Sequence, residues 1–345
     1  MAVTVSDIAA QAGVSVSTVS RALAGSTLVS PETMRRVAEV ASQLNYRPNL
    51  MARGLSTGKT ECLGLLVPDL ENPFFSTLAK GIQSHARRRG YSVLMADTDE
   101  DATMESDLVR RLASQSDGVI VCSPRSGLDE IQTWPRTVPL VLVNRLNEGM
   151  SSVIVDDADG IRQAVLHLAA LGHARIAYAG GPQASWSDRT RRAAFHETMA
   201  SLPDAEAIDL GCFQPQYHSG AAAADLAHVS GATAAIAYND LVAIGLVQRL
   251  QSRGVAIPRD FSVVGIDGIP QSSWSSPTLT TVSTVRRSLA RTSVHVLLDN
   301  TEVPQTHVVP VELIVRASTG EAPAGTLLNQ ALATSGASIQ KGTTP

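Results

Sequence analysis

The sequence predicts an α/β protein: an N-terminal all-α helix-turn-helix head, then two lobes of doubly wound parallel sheet. Three observations predict it. Residues up to about 46 carry apolar side chains at helical spacing. From Cys62 onward, short apolar runs alternate with amphipathic helical stretches. That alternation comes in two successive series, 62–157 and 174–267, which means two α/β units. A length of 345 residues also exceeds the roughly 150 of one typical domain.

Charge divides the chain in the same way. Its 28 basic and 32 acidic side chains give −4, which excludes a uniformly basic nucleic-acid coat. Residues 1–60 nevertheless hold six basic groups (Arg21, Arg35, Arg36, Arg47, Arg53, Lys59) against three acidic ones, Asp7, Glu32 and Glu39. The remainder has 22 basic and 29 acidic groups. A basic head on an acidic body points to a polyanion-binding module. With 4% aromatics, the core is expected to be aliphatic.

Cys62, Cys122 and Cys212 are odd in number, widely spaced and in no CxxC pair, so buried free thiols in a reducing compartment are expected. The start MAVTVSDIAA lacks the pattern of a signal peptide, and no run reaches about 18 apolar residues. A cytoplasmic protein with no membrane contact is expected.

The head reads as three helices. Val5, Ile8, Ala9 and Ala12 make the inner face of the first, and Gly13 supplies a sharp turn. Ser15 caps the second, VSTVSRALA, with Val19 and Leu23 facing inward. Ser30 and Pro31 start the third, whose stripe is Met34, Val37, Ala38, Ala41 and Leu44. Helix, tight turn and helix make a helix-turn-helix. An ordinary three-helix bundle is the competing reading. Against it stands the outer face of the second helix: Val16, Ser17, Thr18, Ser20 and Arg21. Short side chains let a helix approach a groove closely, and Arg is the commonest reader of guanine O6 and N7. Double-stranded DNA is therefore the expected partner.

VTVSDIAAQAGVSVSTVSRALAG, followed by VSPETMRRVAEVASQLNYRPN, resembles the head of the lactose-repressor (LacI/GalR) family of bacterial transcription factors. The resemblance implies that Val16, Ser17 and Arg21 face base edges, while Thr18, Ser20, Thr33, Tyr46 and Asn49 hold phosphates. NLMARGLST, residues 49–57, resembles the family's hinge helix, with Ala52 and Arg53 matching its pattern and Leu55 its minor-groove wedge. A linker residue covering the next domain is the alternative for Leu55. Gly54 departs from the pattern, since Gly costs about 1 kcal/mol inside a helix. GLSTGKT at 54–60 is no phosphate-binding P-loop: the earlier Gly stands one residue too close, and a strand follows where a helix is needed.

In the body, CLGLLVP (62–68), SVLMAD (92–97), GVIVCS (118–123), PLVLVN (139–144) and SVIVDD (152–157) read as strands buried on both faces. ARIAYAG (174–180), AIDLG (207–211), AAIAYN (234–239) and FSVVGID (261–267) form the second series. VPDLENPFF, VDDADG, LGHARIAYAGGP, FSVVGIDG, PTLTTV and LIVRAST look like landmarks of the same family. They imply a two-lobed, periplasmic-binding-protein-like core over 60–320, behind a DNA-binding domain at 1–48 and a hinge at 49–59. Lobe 1 would span about 60–155 plus 286–312, and lobe 2 about 156–285 plus 313–320.

Ligands of such sheets bind at the carboxyl ends of the strands, here an interlobe cleft. The candidate effector ligands are Asp69 with Asn72 and Phe74, then Asn144, Ser187 with Arg191, Phe213, Asn239 with Asp240, and Asp267. Amides and carboxylates pair with vicinal hydroxyls, Arg donates twice and an aromatic covers a ring face, so a sugar-like effector is expected. By family position Arg191, Asn239 and Asp267 stand out, with Phe213 in place of a stacking aromatic. Helix capping is the alternative for Asp69 and Asp240, and a solvated helix face for Arg191.

No HExxH or GxGxxG occurs, and the one GxSxG string, GLSTG at 54–58, lies in the hinge segment and not in a strand–turn–helix elbow, so no enzyme, metal or cofactor is expected. The tail 321–345 is small, polar and without heptads, which predicts disorder. The resemblance implies tetramers in some members through a C-terminal leucine repeat that this tail does not supply, so a homodimer on a near-palindromic operator is expected. A small molecule in the cleft would set operator affinity, most simply in a repressor. The rival is a stand-alone sugar-binding or transport protein, against which the helix-turn-helix speaks.

Overall fold

The computed structural model describes residues 3–23, 25–46, 59–284, 286–299 and 303–323. Asn49, Ala52, Arg53, Leu55 and the tail beyond 323 lie outside the described residues. The chain divides into two compact units at the Thr60–Glu61 bond.

In the first unit the helices are Val5–Ala12, Val16–Leu23 and Pro31–Gln43. Thr4 and Asp7 close a capping box on the first, and Gly13 ends it at φ 66°. Ser15 Oγ accepts from Thr18 N (3.1 Å), and Ser30 Oγ accepts from Thr33 N (3.2 Å) with Pro31 in the first turn. Ile8, Val19 and Val37 are wholly buried at the centre of the three. Two inward assignments need correction. Leu23 is 39% exposed and Ala22 takes the inner place, because Val19 and Ala22 share a face at i, i+3. Val40 is buried and Ala38 exposed, since Val37, Val40 and Ala41 make the tighter i, i+3, i+4 stripe.

The second unit holds two six-stranded sheets. In chain order the strands are β1 Cys62–Val67, β2 Ser92–Asp97, β3 Val119–Cys122, β4 Leu140–Val143, β5 Ser151–Val155 and β6 Arg175–Gly180. They continue with β7 Glu206–Cys212, β8 Ala234–Ala237, β9 Ser262–Ile266, β10 Thr280–Thr284, β11 Thr306–Val309 and β12 Val311–Ile314. One sheet has the order β11-β5-β4-β3-β1-β2, the other β12-β10-β9-β8-β6-β7. Every pairing is parallel except that of β12 with β10. The central strands are mostly apolar because helices cover both faces; β3, β4, β8 and β9 are buried at every residue.

Helices Pro73–Arg88 and Arg286–Leu298 pack together on the first sheet, burying Phe75, Leu78, Ile82, Leu289 and Val294 with Leu63 and Leu65. Burying each such large apolar side chain contributes about 1.5–3 kcal/mol. On the second sheet lie Asp157–Ala170, Trp186–Ala200, Ser219–Val229 and Asp240–Ser252. The chain passes between the sheets after β5, after β10 and between β11 and β12. The three last strands escape a reading by apolar runs, because TTVST, THVV and VELI are short and half polar. The expectation of buried thiols holds for Cys122 only: Cys62 is half-buried and Cys212 exposed. Cys212 ends β7, an edge strand whose residues are half-buried or exposed, none fully buried.

Candidate functional site

The outer face of the second head helix is the first candidate. Val16 is 50% exposed, and Ser17, Ser20 and Arg21 are exposed beside a half-buried Thr18. Ser15 Oγ lies 2.8 Å from both Ser17 Oγ and Thr18 Oγ1, so these hydroxyls are held as a group at the helix start. Thr33 Oγ1 meets the capping Ser30 at 2.9 Å, and Tyr46 packs half-buried on the head core. Those two candidates for phosphate contact therefore also hold the fold.

The second candidate is a cleft in the body. In each sheet the strand order reverses once, between β1 and β3 and between β6 and β8. Helices leave opposite faces at such a point, and their splayed starts leave a crevice at the carboxyl ends. The chain just after those four strands supplies Asn72 and Phe74, Ser123 and Arg125, Ser187 and Arg191, and Tyr238 and Asn239. Asn144 after β4 and Asp267 after β9 complete a cleft with an empty volume near 320 Å³, counting space open to solvent.

Arg191 organises its floor. Its Nε donates to Asp157 Oδ1 (2.8 Å), its Nη1 donates to the Tyr238 carbonyl (2.6 Å), and its Nη2 lies 3.9 Å from Asp267 Oδ1. The guanidinium also sits 5.0 Å from the Tyr238 ring centroid. Burial works against its charge, but Asp157 and Asp267 more than offset that and push its pKa up. Asp157 Oδ2 is buried without a hydrogen-bond partner among the described residues. Asp267 holds φ at 108°, a strained backbone for a non-glycine, anchored by its N–H to the Val282 carbonyl (2.9 Å).

The cleft thus brings together Asn72, Phe74, Asn144, Ser187, Arg191, Asn239 and Asp267. Three further candidates lie off it. Asp69 folds back into its own turn, its Oδ1 accepting from Glu71 N (2.7 Å). Asp240 is wholly buried beneath the cleft: Oδ1 accepts from Thr281 Oγ1 (2.6 Å) and Oδ2 from Ile269 N (2.8 Å). Burial, then the neighbouring Asp267, pushes its carboxyl well above the usual range. Phe213 packs on the apolar core around Ala179, Ala223 and Leu246. Its N–H donates to the carbonyl of Gly180, the last residue of β6, and its side chain is not among those lining the cleft.

Some of the lining residues also cap helices. Asn72 Oδ1 accepts from Phe74 N (3.0 Å), and Asn239 accepts from Val242 N (2.9 Å) while donating to the Pro215 carbonyl (2.9 Å). Asn144, at φ 53°, accepts from Val155 N (3.1 Å).

Sequence reasoning missed Phe75, Glu100, Ser123, Arg125, Asp157, Pro215 and Tyr238. Arg125 forks onto Glu100 at 2.7 and 2.8 Å and donates from its backbone to Glu105 (2.7 Å). Ser123 and Arg125 follow the run GVIVC as Asn144 follows its own strand, so the strand-end rule reaches them. Asp157 closes the run SVIVDD, so the same rule reaches it, although it stands in the first turn of the following helix.

A helix-turn-helix joined in one chain to a two-lobed body with a polar cleft defines a class, the transcriptional regulators that carry a small-molecule site. Residues 4–49 match "Bacterial regulatory proteins, lacI family", and residues 60–317 match "Periplasmic binding proteins and sugar binding domain of LacI family". The chain is 30% identical to the HTH-type transcriptional regulator DegA of Bacillus subtilis (strain 168), over 92% of this chain and 98% of that protein. It resembles the lac repressor dimer bound to operator and the anti-inducer ONPF with a TM-score of 0.84 at 29% identity, covering 93% of this chain and 100% of that one. A complex of the transcriptional regulator CelR with cellobiose gives 0.68 at 28% identity, covering 92% and 99%. The chain belongs to the LacI family of bacterial regulatory proteins.

Proposed function

We propose that this regulator is a cytoplasmic homodimeric repressor, without catalytic activity, that binds a near-palindromic operator. Val16, Ser17 and Arg21 read base edges, while Thr18, Ser20, Thr33 and Tyr46 hold phosphates. The body, residues 60–320, binds a sugar-like effector that sets operator affinity. The lac repressor dimer on its operator and the CelR–cellobiose complex support this reading by likeness. The observation that carries it is the floor of the cleft, where Arg191, Asp157 and Asp267 converge with Asn144 and Phe74. Fixed donors and acceptors at several angles beside an aromatic suit a ring bearing vicinal hydroxyls. The test is a thermal-shift screen of the full chain with neutral and charged sugars, followed by operator binding titrated with each hit. A hit that changes operator affinity is expected. If every compound that binds the cleft, those touching both lobes included, leaves operator affinity unmoved, the regulatory reading is overturned.

A further inference from the structure

Three buried arginines stand around the cleft, and they are not alike. Arg191 has Asp157 and Asp267, and Arg125 has both oxygens of Glu100. Arg145 is just as deeply placed, at 2% exposed, and makes no ion pair among the described residues. Its Nη2 donates to the Ser126 carbonyl (2.9 Å), while Nε and Nη1 are buried without a partner among the described residues. Ser126 Oγ beside it is also buried without a hydrogen-bond partner of good geometry among the described residues, near the carboxylate of Glu105. The nearest acid, Glu105, is already committed, its two oxygens accepting from Arg125 N (2.7 Å) and Ser126 N (2.9 Å).

A buried guanidinium without a counter-charge is one of the costlier arrangements a fold can hold. The surroundings increase that cost. Burial first, and then the positive charges of Arg189 and Arg125, pull the Arg145 pKa down against the pull of Glu105. Arg189 is exposed on the other lobe, in the first turn of Trp186–Ala200, two residues from the cleft-lining Ser187. Arg145 itself directly follows the cleft-lining Asn144. Donors from both lobes therefore gather beside the cleft, and Glu105, the acid that acts on Arg145, has its oxygens taken by Arg125 N and Ser126 N.

We propose that Arg145, Ser126 and Arg189 form an anion-binding subsite adjoining the cleft, so that the effector is a polyhydroxyl compound carrying an acidic group. The assignment rests on the reading of the cleft as a sugar site and narrows its ligand class. Phosphate esters and carboxylates share the required chemistry, oxygen acceptors with negative charge that a guanidinium can grip through two N–H groups.

The experiment is calorimetry and thermal unfolding of the full chain with matched probes: glucose, glucose 6-phosphate, glucuronate, ribose, ribose 5-phosphate and inorganic phosphate. At least one acidic sugar should bind roughly ten- to a hundredfold tighter than its neutral parent, the range of a charged hydrogen bond. Arg145→Met should erase that preference and leave the unfolding temperature of the ligand-free protein unchanged or raised, because it removes an uncompensated buried charge. Binding of the phosphate esters alone assigns a phosphorylated sugar, and binding of glucuronate alone a sugar acid. If neutral sugars bind best, or if Arg145→Met keeps the preference, the subsite is overturned while the cleft reading stands. A lower unfolding temperature for Arg145→Met with unaltered ligand preference would make Arg145 a packing residue. If no sugar of either kind binds, both readings fall.

Discussion

Arg21 and Asp267 show how one side chain can matter through its surroundings. Arg21 is exposed on a helix whose inner contacts are made by Val19 and Ala22, so its removal leaves the head core intact. Arg21→Ala should cost about 1–3 kcal/mol on the operator and relax preference at one base pair per half-site, with no change in unfolding temperature. Fluorescence anisotropy on operator and random duplexes checks this; equal losses on both would reduce Arg21 to a phosphate contact. Asp267 is nearly buried, 3.9 Å from the Arg191 guanidinium. Asp267→Asn keeps the shape but removes the charge, and effector affinity measured by calorimetry should fall by about 1–3 kcal/mol. An unchanged affinity would place the effector elsewhere. The sequence disclosed Asp267 because an acidic residue at a strand end is visible in FSVVGID. It did not disclose that Asp240, also just past a strand, is turned beneath the cleft by Thr281 and Ile269. Nor could it show Asp157 and Tyr238 meeting at Arg191, since those partners lie 34 and 47 residues away. Strand ends are local and legible, whereas the direction a side chain takes from them is set by distant packing.

At the scale of elements, close approach and burial decide. Helices Ser219–Val229 and Asp240–Ser252 run so near each other that a Cβ on Gly245 would stand 2.0 Å from the Tyr217 carbonyl oxygen, and one on Gly220 2.4 Å from Leu246 N. In an open helix Gly→Ala gains about 1 kcal/mol. Here the obstacle is backbone, so Gly245→Ala should instead destabilise by about 1–3 kcal/mol, seen as a lower urea midpoint. A raised midpoint would show that the helix pair can separate freely. The end of the body chain is tied down by His173, whose Nδ1 meets Thr233 Oγ1 (2.8 Å) and whose Nε2 meets Ser262 Oγ (3.0 Å) and the Gly320 carbonyl (3.1 Å). A carbonyl only accepts, so Nε2 carries the proton and Nδ1 accepts from Thr233. Burial lowers the imidazole pKa below 6.5, and the nearby His167 is lowered likewise. The unfolded chain therefore binds protons more readily, and this contribution to stability is present above about pH 6.5 and is lost as pH falls below it. The buried acids Asp240, Glu105 and Asp69 are shifted upward and act in the opposite sense. The difference between wild type and His173→Gln isolates the histidine: the variant should lose less stability between about pH 7 and 5.5. Parallel curves for the two proteins would remove His173 from the acid response.

At the scale of the whole molecule, the question is what a ligand in the cleft can change. Phe74, Arg125 and Asn144 come from the first lobe and Ser187, Arg191 and Asp267 from the second, so an occupant touches both. The chain passes between the lobes at three short connections, the last a single residue, Pro310, between β11 and β12. Few residues then need to turn for the lobes to close, which is the geometry of a hinge. A ligand shifts such an equilibrium only as far as it binds one arrangement more tightly than the other. A compound contacting one lobe alone should therefore occupy the site without changing operator affinity. Linkage makes the expectation quantitative for an effector that touches both. If it alters operator affinity by a given factor, operator DNA must alter effector affinity by the same factor, and couplings of this kind run to roughly 5–150-fold. Calorimetric titration of the effector with and without saturating operator, set beside operator binding with and without saturating effector, measures the two factors independently. Asn144→Ala in one lobe and Asp267→Asn in the other should shrink both factors together, because each removes contacts from one side of the closed cleft. Two factors that stay unequal at equilibrium would mean that the effector and the operator act on different species, and a cleft closing under one ligand could not be what connects them.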